Sequence, residues 1–168
     1  MMRSQPIKRL SDSNWWQRNH TGTASPTQVE ANDLATILIV DDDPTTVATI
    51  KLILEGTAEY CVLVARSGPE CFRQVEQVRP DLILLDILMP GMNGIEVLKR
   101  LQSRPDTQSI PILMVSVDAQ LERMATCFEL GANGFLIKPF DAASLYQQVR
   151  NTVARRRTVI LQKHQDLH

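Results

Sequence analysis

The stretch DLILLDILMPGMNGIEVLKRL, residues 81–101, contains a complete strand–loop–helix unit and is the clearest guide to the fold. Its apolar run at 82–85 is too short for a helix and predicts a buried strand that ends at Asp86. A Pro-Gly pair then predicts a loop. After the loop, apolar residues recur at the spacing of one helix face: Ile95, Leu98 and Leu101. Because the strand is apolar on both faces, its sheet should be covered by helices on both sides.

Similar units lie on either side of this stretch. Apolar runs predict the other strands at 37–40, 61–65, 112–117 and 134–137. The segments that follow the strands carry apolar residues at helical spacing: Val47, Ile50 and Leu54; Cys71, Val75 and Val78; Leu121, Met124 and Phe128; and Leu145, Val149, Val153 and Ile160. Strand and helix therefore alternate five times along the chain. That order predicts an α/β fold, a doubly wound parallel sheet of five strands with five helices.

The length and composition of the chain fit one globular domain with extensions. Of its 168 residues, 43% are hydrophobic and 22% are charged, as in ordinary water-soluble proteins. Residues 1–35 predict a flexible polar N-terminal extension, 36–150 the domain itself, and 151–168 a basic C-terminal helical extension. No apolar run approaches the ~20 residues of a membrane-spanning helix, which favours a cytoplasmic protein with no membrane partner.

Charge and cysteine content argue against two kinds of ligand. Residues 36–149 carry a net charge of −6, so direct DNA binding is not expected, because a phosphate backbone requires a basic surface. The cysteines Cys61, Cys71 and Cys127 lack metal-binding spacing and stand within apolar patterns. We expect reduced, buried thiols at these positions.

Polar residues stand where four of the predicted strands end. They are Asp41, Asp42 and Asp43 after the first strand, Asp86 after the third, Ser116 in the fourth and Lys138 after the fifth. The carboxyl ends of parallel strands share one edge of a sheet, where ligands bind. Crowded carboxylates favour a cation among them, and oxygen-only ligands suit Mg²⁺. With a lysine and a hydroxyl nearby, the set predicts phosphoryl transfer to a carboxylate, while Asp43, just before Pro44, is predicted to cap a helix.

These motifs resemble the receiver domain of two-component response regulators over about residues 36–150. The matching strings are LIVDDDP, DLILLDILMPGMNGIEVLKRL, IPILMVS and GANGFLIKPF. The resemblance implies a flavodoxin-like fold with strand order 2-1-3-4-5. It also implies that Asp86 is the phosphoacceptor, and that Asp42, Asp86 and the backbone carbonyl of Leu88 hold Mg²⁺ while Asp41 acts mainly through water.

The same resemblance implies roles for further residues. Lys138 would bridge to a carboxylate before phosphorylation and to the phosphoryl group afterwards, aimed by a cis peptide bond before Pro139. Ser116 would reorient to bond the phosphoryl oxygen, and Phe135 would turn inward behind it. Asp118, where this sequence departs from the family pattern, would place a charge across from the acceptor.

The resemblance also implies partners. The phosphoryl group would come from a phosphohistidine on a sensor histidine kinase or a phosphotransfer protein. The chain would be a signalling phosphoacceptor rather than an enzyme with other substrates, and would signal to a downstream target protein. The fourth helix, fifth strand and fifth helix would form the output surface or a homodimer interface. Too few residues follow residue 150 for an output domain, which predicts either a stand-alone receiver or a fragment of a longer regulator.

Two other functions are compatible with parts of the sequence. The string DDDPT, which begins at Asp41, fits the DxDxT pattern of haloacid-dehalogenase-type phosphatases. In that family's scheme Asp41 would be the nucleophile and Asp43 the general acid, with Ser116 and Lys138 in later motifs. Labelling of Asp41 by a phosphate analogue would favour this function. Alternatively, the chain is a receiver-shaped interaction module that takes no phosphate, as a lack of Mg²⁺-dependent phosphorylation would indicate.

Overall fold

The structure is a computed structural model in which residues 34–118 and 120–165 are described. Its strands are β1 Ala35–Val40, β2 Tyr60–Ala65, β3 Leu82–Asp86, β4 Ile112–Ser116 and β5 Gly134–Ile137. Its helices are α1 Pro44–Glu55, α2 Gly68–Gln77, α3 Gly94–Gln102, α4 Leu121–Glu129 and α5 Ala142–Gln165. Every strand and helix that the sequence predicts is present, in the predicted order.

The strands form one parallel sheet in the order β2-β1-β3-β4-β5, the flavodoxin-like order that the resemblance implies. β1 pairs with β2 on one side and with β3 on the other, so the direction of winding reverses between β1 and β3. In open α/β sheets a crevice forms at such a reversal, outside the carboxyl ends of the strands. The topology therefore places the loops after β1 and β3 beside a ligand-binding crevice.

The apolar core consists of two layers, one on each face of the sheet. In β1 the side chains alternate between them. Leu38 and Val40 enter the layer beneath α2, α3 and α4, whereas Ile37 and Ile39 enter the layer beneath α1 and α5. All four are buried. Burial on both faces explains why these strands are continuously apolar.

Side-chain caps explain where helices begin. The carboxylate of Asp43 accepts hydrogen bonds from the amides of Thr45 and Thr46, at 3.1 and 2.9 Å, at the start of α1. Asn93 and Glu96 form a reciprocal capping box at the start of α3. Each such cap contributes about 1 kcal/mol to stability. The prediction that Asp43 caps a helix is confirmed.

The apolar face predicted for α4 is wrong at two of its three positions. Leu121 and Phe128 are 77% and 48% exposed, and the buried residue of this helix is Cys127. Periodicity alone does not reveal which side of a short helix packs on the sheet when apolar residues occur around much of its circumference. α4 therefore presents apolar side chains on its outer surface.

Two smaller predictions also fail. The sequence places Val78 on the apolar face of α2, but the helix ends at Gln77 and Val78 is exposed beyond it. Cys61 is exposed rather than buried, because it lies on β2, which pairs only with β1 among the described residues. Cys71 and Cys127 are buried free thiols as predicted, and burial raises the pKa of Cys71 to about 12.

α5 continues without a break past residue 150. Three of its apolar residues pack in the core: Leu145, Val149 and Val153. Further along, Arg156 donates a hydrogen bond to the carbonyl of Pro80, just before β3. The helix is therefore attached to the domain beyond residue 150. Ile160 lies within α5, but its side chain is outside the described part of the structure.

The chain's extensions are described only in part. The predicted N-terminal extension falls almost wholly within residues 1–33, which lie outside the described residues. Among the helices of the described ranges, none combines the length and apolarity that crossing a bilayer requires.

Candidate functional site

The fold brings the predicted site residues to one edge of the sheet. Asp41 and Asp42 follow β1, Asp86 ends β3, Ser116 ends β4 and Lys138 follows β5. These strands are consecutive in the sheet, and all run in the same direction. Their carboxyl ends therefore form a continuous edge, which we call the carboxyl edge.

Lys138 joins two of the carboxylates at the carboxyl edge. Its Nζ donates to Asp41 Oδ2 at 2.8 Å and to Asp86 Oδ1 at 2.9 Å. Asp41 is 2% exposed and Asp86 is 5% exposed, so the charges are largely shielded from water. Buried ions persist when they are paired and hydrogen-bonded, and here one ammonium group serves both carboxylates. The pair of carboxylates still exceeds the lysine in charge, so the cluster remains negative.

Burial and pairing compete in setting the pKa values of the cluster. Burial raises the pKa of Asp86 above its usual value of 3.8, and the nearby Asp41 adds to the rise, although the hydrogen bond and charge of Lys138 oppose it. Burial is also the largest single effect on Lys138 and lowers its pKa. The hydrogen bonds to Asp41 and Asp86 together with their charges outweigh burial, so the pKa of Lys138 lies above its usual value. The lysine is therefore charged, and the acidic pair favours additional positive charge nearby.

The donor set of the cluster fits a hard divalent cation. Asp41, Asp42 and Asp86 each offer a carboxylate oxygen, and these atoms lie within 4.8 Å of one another. Asp42 is exposed, which leaves one side of the group open to water. Mg²⁺ takes one or two carboxylates and keeps several waters, so an oxygen-only set with a hydrated side matches its preference.

The backbone after β3 packs closely against the start of α3. A Cβ atom on Gly94 would lie 2.0 Å from the carbonyl oxygen of Asp86, so only glycine fits there. The Gly94 amide donates to the carbonyl of Ile87 at 2.9 Å. Sequence reasoning missed the role of Gly94, although an Asn-Gly pair at a helix start was a usable signal. The Leu88 carbonyl as a metal ligand stays a prediction.

The hydroxyl of Ser116 is fully buried and hydrogen-bonded within the loop after β4. Its Oγ accepts from the amide of Asp118 at 3.1 Å. The Asp118 carboxylate accepts from the Gln120 amide at 2.9 Å and pairs with Arg123 of α4 at 2.6 Å. The negative charge of Asp118 is therefore paired with Arg123, which connects this loop to α4. Sequence reasoning missed Arg123, because an ion pair across a loop–helix junction has no periodic signature.

Phe135 lies on β5, next to Met114 of β4. It is partly buried and packs against the core layer beneath α4. Its position between core and surface is compatible with the two orientations that the resemblance implies. The peptide bond between Lys138 and Pro139 is cis, also as the resemblance implies.

Comparisons with known proteins agree with this geometry. The family profile of the response regulator receiver domain matches residues 37–150. The DNA-binding response regulator MtrA of Mycolicibacterium smegmatis is 34% identical over 119 residues, which cover 71% of this chain and 50% of MtrA. The chain therefore spans about half the length of that curated relative.

Solved structures show the same fold. A putative response regulator from Chloroflexus aurantiacus is 38% identical with a TM-score of 0.68, and the match covers 72% of this chain and 98% of that one. The Mn²⁺-bound form of response regulator Rcp1 is 25% identical with a TM-score of 0.62, covering 70% of this chain and 90% of Rcp1.

Proposed function

The chain belongs to the response regulator receiver domain family of two-component systems, and on that premise we propose that Asp86 accepts a phosphoryl group from a phosphohistidine. A carboxylate oxygen of Asp86 attacks the phosphorus, the bond from phosphorus to the histidine nitrogen breaks, and the leaving imidazole takes up a proton. The donor is a sensor histidine kinase or a phosphotransfer protein. The observation that carries the proposal is the Lys138 bridge, which places an ammonium group 2.9 Å from Asp86 and 2.8 Å from Asp41.

Mg²⁺ is the cation that we expect at the carboxyl edge. When bound, it supplies positive charge that stabilises the transferring phosphoryl oxygens. Asp42 and Asp86 would hold it directly with the backbone carbonyl of Leu88, and Asp41 would act mainly through water. The support for this assignment is the oxygen-only donor set within 4.8 Å. The Mn²⁺-bound Rcp1 structure adds a relative with a similar hard cation.

Lys138 and Ser116 are proposed to bind the phosphoryl group once it has formed. Phosphorylation places roughly two negative charges on Asp86. Lys138, which now donates to both Asp41 and Asp86, would then have a stronger partner in the phosphoryl group. The Ser116 hydroxyl can donate its hydrogen to a phosphoryl oxygen, and Phe135 then turns inward behind it. These movements would convert a change of charge into a change of shape.

The output surface is proposed to be formed by α4, β5 and α5. Exposed apolar side chains on the first two of these elements are Leu121, Phe128 and Ile137. Single exposed apolar residues are ordinary, but three of them on the helix that follows Ser116 and on the strand that carries Phe135 favour contact with a downstream target protein or a second copy of the chain. The chain would act as a signalling phosphoacceptor that catalyses only its own phosphorylation and dephosphorylation.

The alternative phosphatase function has less support. It requires Asp41 as nucleophile and leaves the strand–loop–helix unit around Asp86 without a role. It also requires Asp43 as general acid. Hydrogen bonds from the hydroxyl and the amide of Thr46, and to a lesser extent from the amide of Thr45, hold the pKa of Asp43 below its usual value. A carboxyl group with a lowered pKa is a poor proton donor near neutral pH.

Incubation with acetyl phosphate and Mg²⁺ tests the proposed function. The wild-type protein should gain one phosphoryl group, and Asp86→Asn should gain none, because an amide cannot act as the acceptor. Asp106→Asn is the matched control, since it removes an exposed carboxylate that pairs with Arg104 away from the site. Wild-type labelling of Asp86→Asn would contradict the assignment. A wild-type protein that takes phosphate from neither acetyl phosphate nor a phosphohistidine donor would favour the interaction module.

A further inference from the structure

The junction between β4 and α4 links the buried Ser116 hydroxyl to Arg123 through one residue, Asp118. The amide of Asp118 donates to Ser116 Oγ at 3.1 Å, and its carboxylate pairs with Arg123 at 2.6 Å. The other oxygen of that carboxylate accepts the amide of Gln120 at 2.9 Å. Both the backbone and the side chain of Asp118 are therefore engaged in this conformation.

The Asp118–Arg123 ion pair is better shielded from water than the Arg104–Asp106 ion pair, which lies at the opposite edge of the sheet, where the strands begin. The side chains of Arg123 and Asp118 are 34% and 22% exposed, whereas those of Arg104 and Asp106 are 42% and 61% exposed. Attraction between charges increases as water is excluded from around them. The Asp118–Arg123 pair should therefore hold its loop more firmly than an ordinary surface pair does.

We propose that Asp118 and Arg123 are positioning residues that hold the Ser116 hydroxyl in its unphosphorylated position and so oppose formation of the phosphorylated state. The inference rests on the proposed function of Asp86 and Ser116. When the hydroxyl turns towards a phosphoryl oxygen, its oxygen moves away from the Asp118 amide. An amide that loses its partner is unfavourable unless the loop shifts to give it another. Arg123 resists that shift because it anchors the loop to α4.

A simple charge effect predicts a different pattern from this positioning role. If only the electrostatic potential at Asp86 mattered, loss of the Asp118 charge would strengthen binding of an anion there and loss of the Arg123 charge would weaken it. If instead the Asp118–Arg123 ion pair holds Ser116 in position, loss of either charge frees the loop to move. Both variants should then bind a phosphoryl mimic more tightly.

Calorimetric titration with beryllofluoride in Mg²⁺, a mimic of aspartyl phosphate, separates the two patterns. We expect Asp118→Asn and Arg123→Ala each to tighten binding by about threefold to tenfold, as the loss of a partly shielded ion pair implies. The double variant should bind no more tightly than either single one, because both remove the same interaction. Arg123→Lys keeps the charge and should restore most of the wild-type affinity.

Arg104→Ala is the matched control, because it removes an ion pair of the opposite edge and should leave the affinity unchanged. Unchanged or weaker binding by Arg123→Ala would overturn the positioning role, and so would effects of the single variants that add in the double variant. If the wild-type protein itself does not bind beryllofluoride, the proposed function fails and this inference fails with it.

Discussion

The two edges of the sheet hold their charged groups in different environments. At the carboxyl edge Lys138 pairs with Asp41 and Asp86, and none of these side chains is more than 15% exposed. At the opposite edge, where the strands begin, Arg104 pairs with Glu76 and Asp106, whose side chains are 58% and 61% exposed. We call this second edge the amino edge.

The difference supports a role in the proposed function for the charges of the carboxyl edge rather than for those of the amino edge. Removing charges from water is unfavourable, and a buried pair seldom stabilises a fold more than apolar residues of similar volume would. Exposed pairs such as those of Arg104 stabilise slightly and are strongly screened. A buried, net negative cluster at the carboxyl edge is therefore poorly explained by stability alone. It is well explained by a site that has to attract a cation and bind a phosphoryl group.

Lys138→Met should give the largest difference between the edges. It leaves Asp41 and Asp86 buried without their partner, which should lower the free energy of unfolding by about 3–5 kcal/mol in metal-free buffer. Arg104→Met at the amino edge should lower it by less than about 1 kcal/mol. Urea unfolding at neutral pH measures both values, and equal losses would remove the distinction between the edges.

Mg²⁺ should stabilise the protein through the carboxyl edge alone. At a hundred times its dissociation constant, the ion should raise the free energy of unfolding by about 2.7 kcal/mol. Asp42→Ala should greatly reduce this gain while changing metal-free stability by no more than about 0.5 kcal/mol, because Asp42 is exposed. Asp106→Ala should keep the full gain. Thermal unfolding with and without Mg²⁺ provides the test, and an undiminished gain in Asp42→Ala would contradict the proposed ligand set.

The smallest expected difference is in pH dependence. In metal-free protein, burial raises the pKa of Asp86 above 3.8, whereas hydrogen bonds from Arg104 lower the pKa of Asp106 below 3.8. The stability linked to Asp86 is present below pH 3.8 and is lost as the pH rises through its folded-state pKa. The stability linked to Asp106 is present above pH 3.8 and is lost as the pH falls through its own. Carboxyl-carbon NMR titration should find the two midpoints on opposite sides of 3.8, and two midpoints on one side would be contrary to this expectation.

The carboxyl edge could be predicted because its residues stand where apolar strands end, and parallel strands end together. Contacts that depend on packing could not. Leu121 and Phe128 of α4 have the spacing of a buried face but are exposed. The side of a short helix that packs on the sheet is determined by contacts with neighbouring elements, which the spacing of its apolar residues does not reveal. The pairing of Asp118 with Arg123 likewise depends on how the loop after β4 folds back on α4. Interactions set by strand direction were accessible from the sequence, whereas those set by side-chain packing required the structure.

Peptide mapping of the phosphorylated protein tests most directly whether the buried acid of the carboxyl edge is the acceptor. The protein is treated with acetyl phosphate and Mg²⁺, the acyl phosphate is reduced with borohydride, and the modified residue is identified by mass spectrometry. We expect modification at Asp86, with Asp41 and Asp106 unchanged. Modification at Asp41 with none at Asp86 would contradict the receiver mechanism and favour the phosphatase.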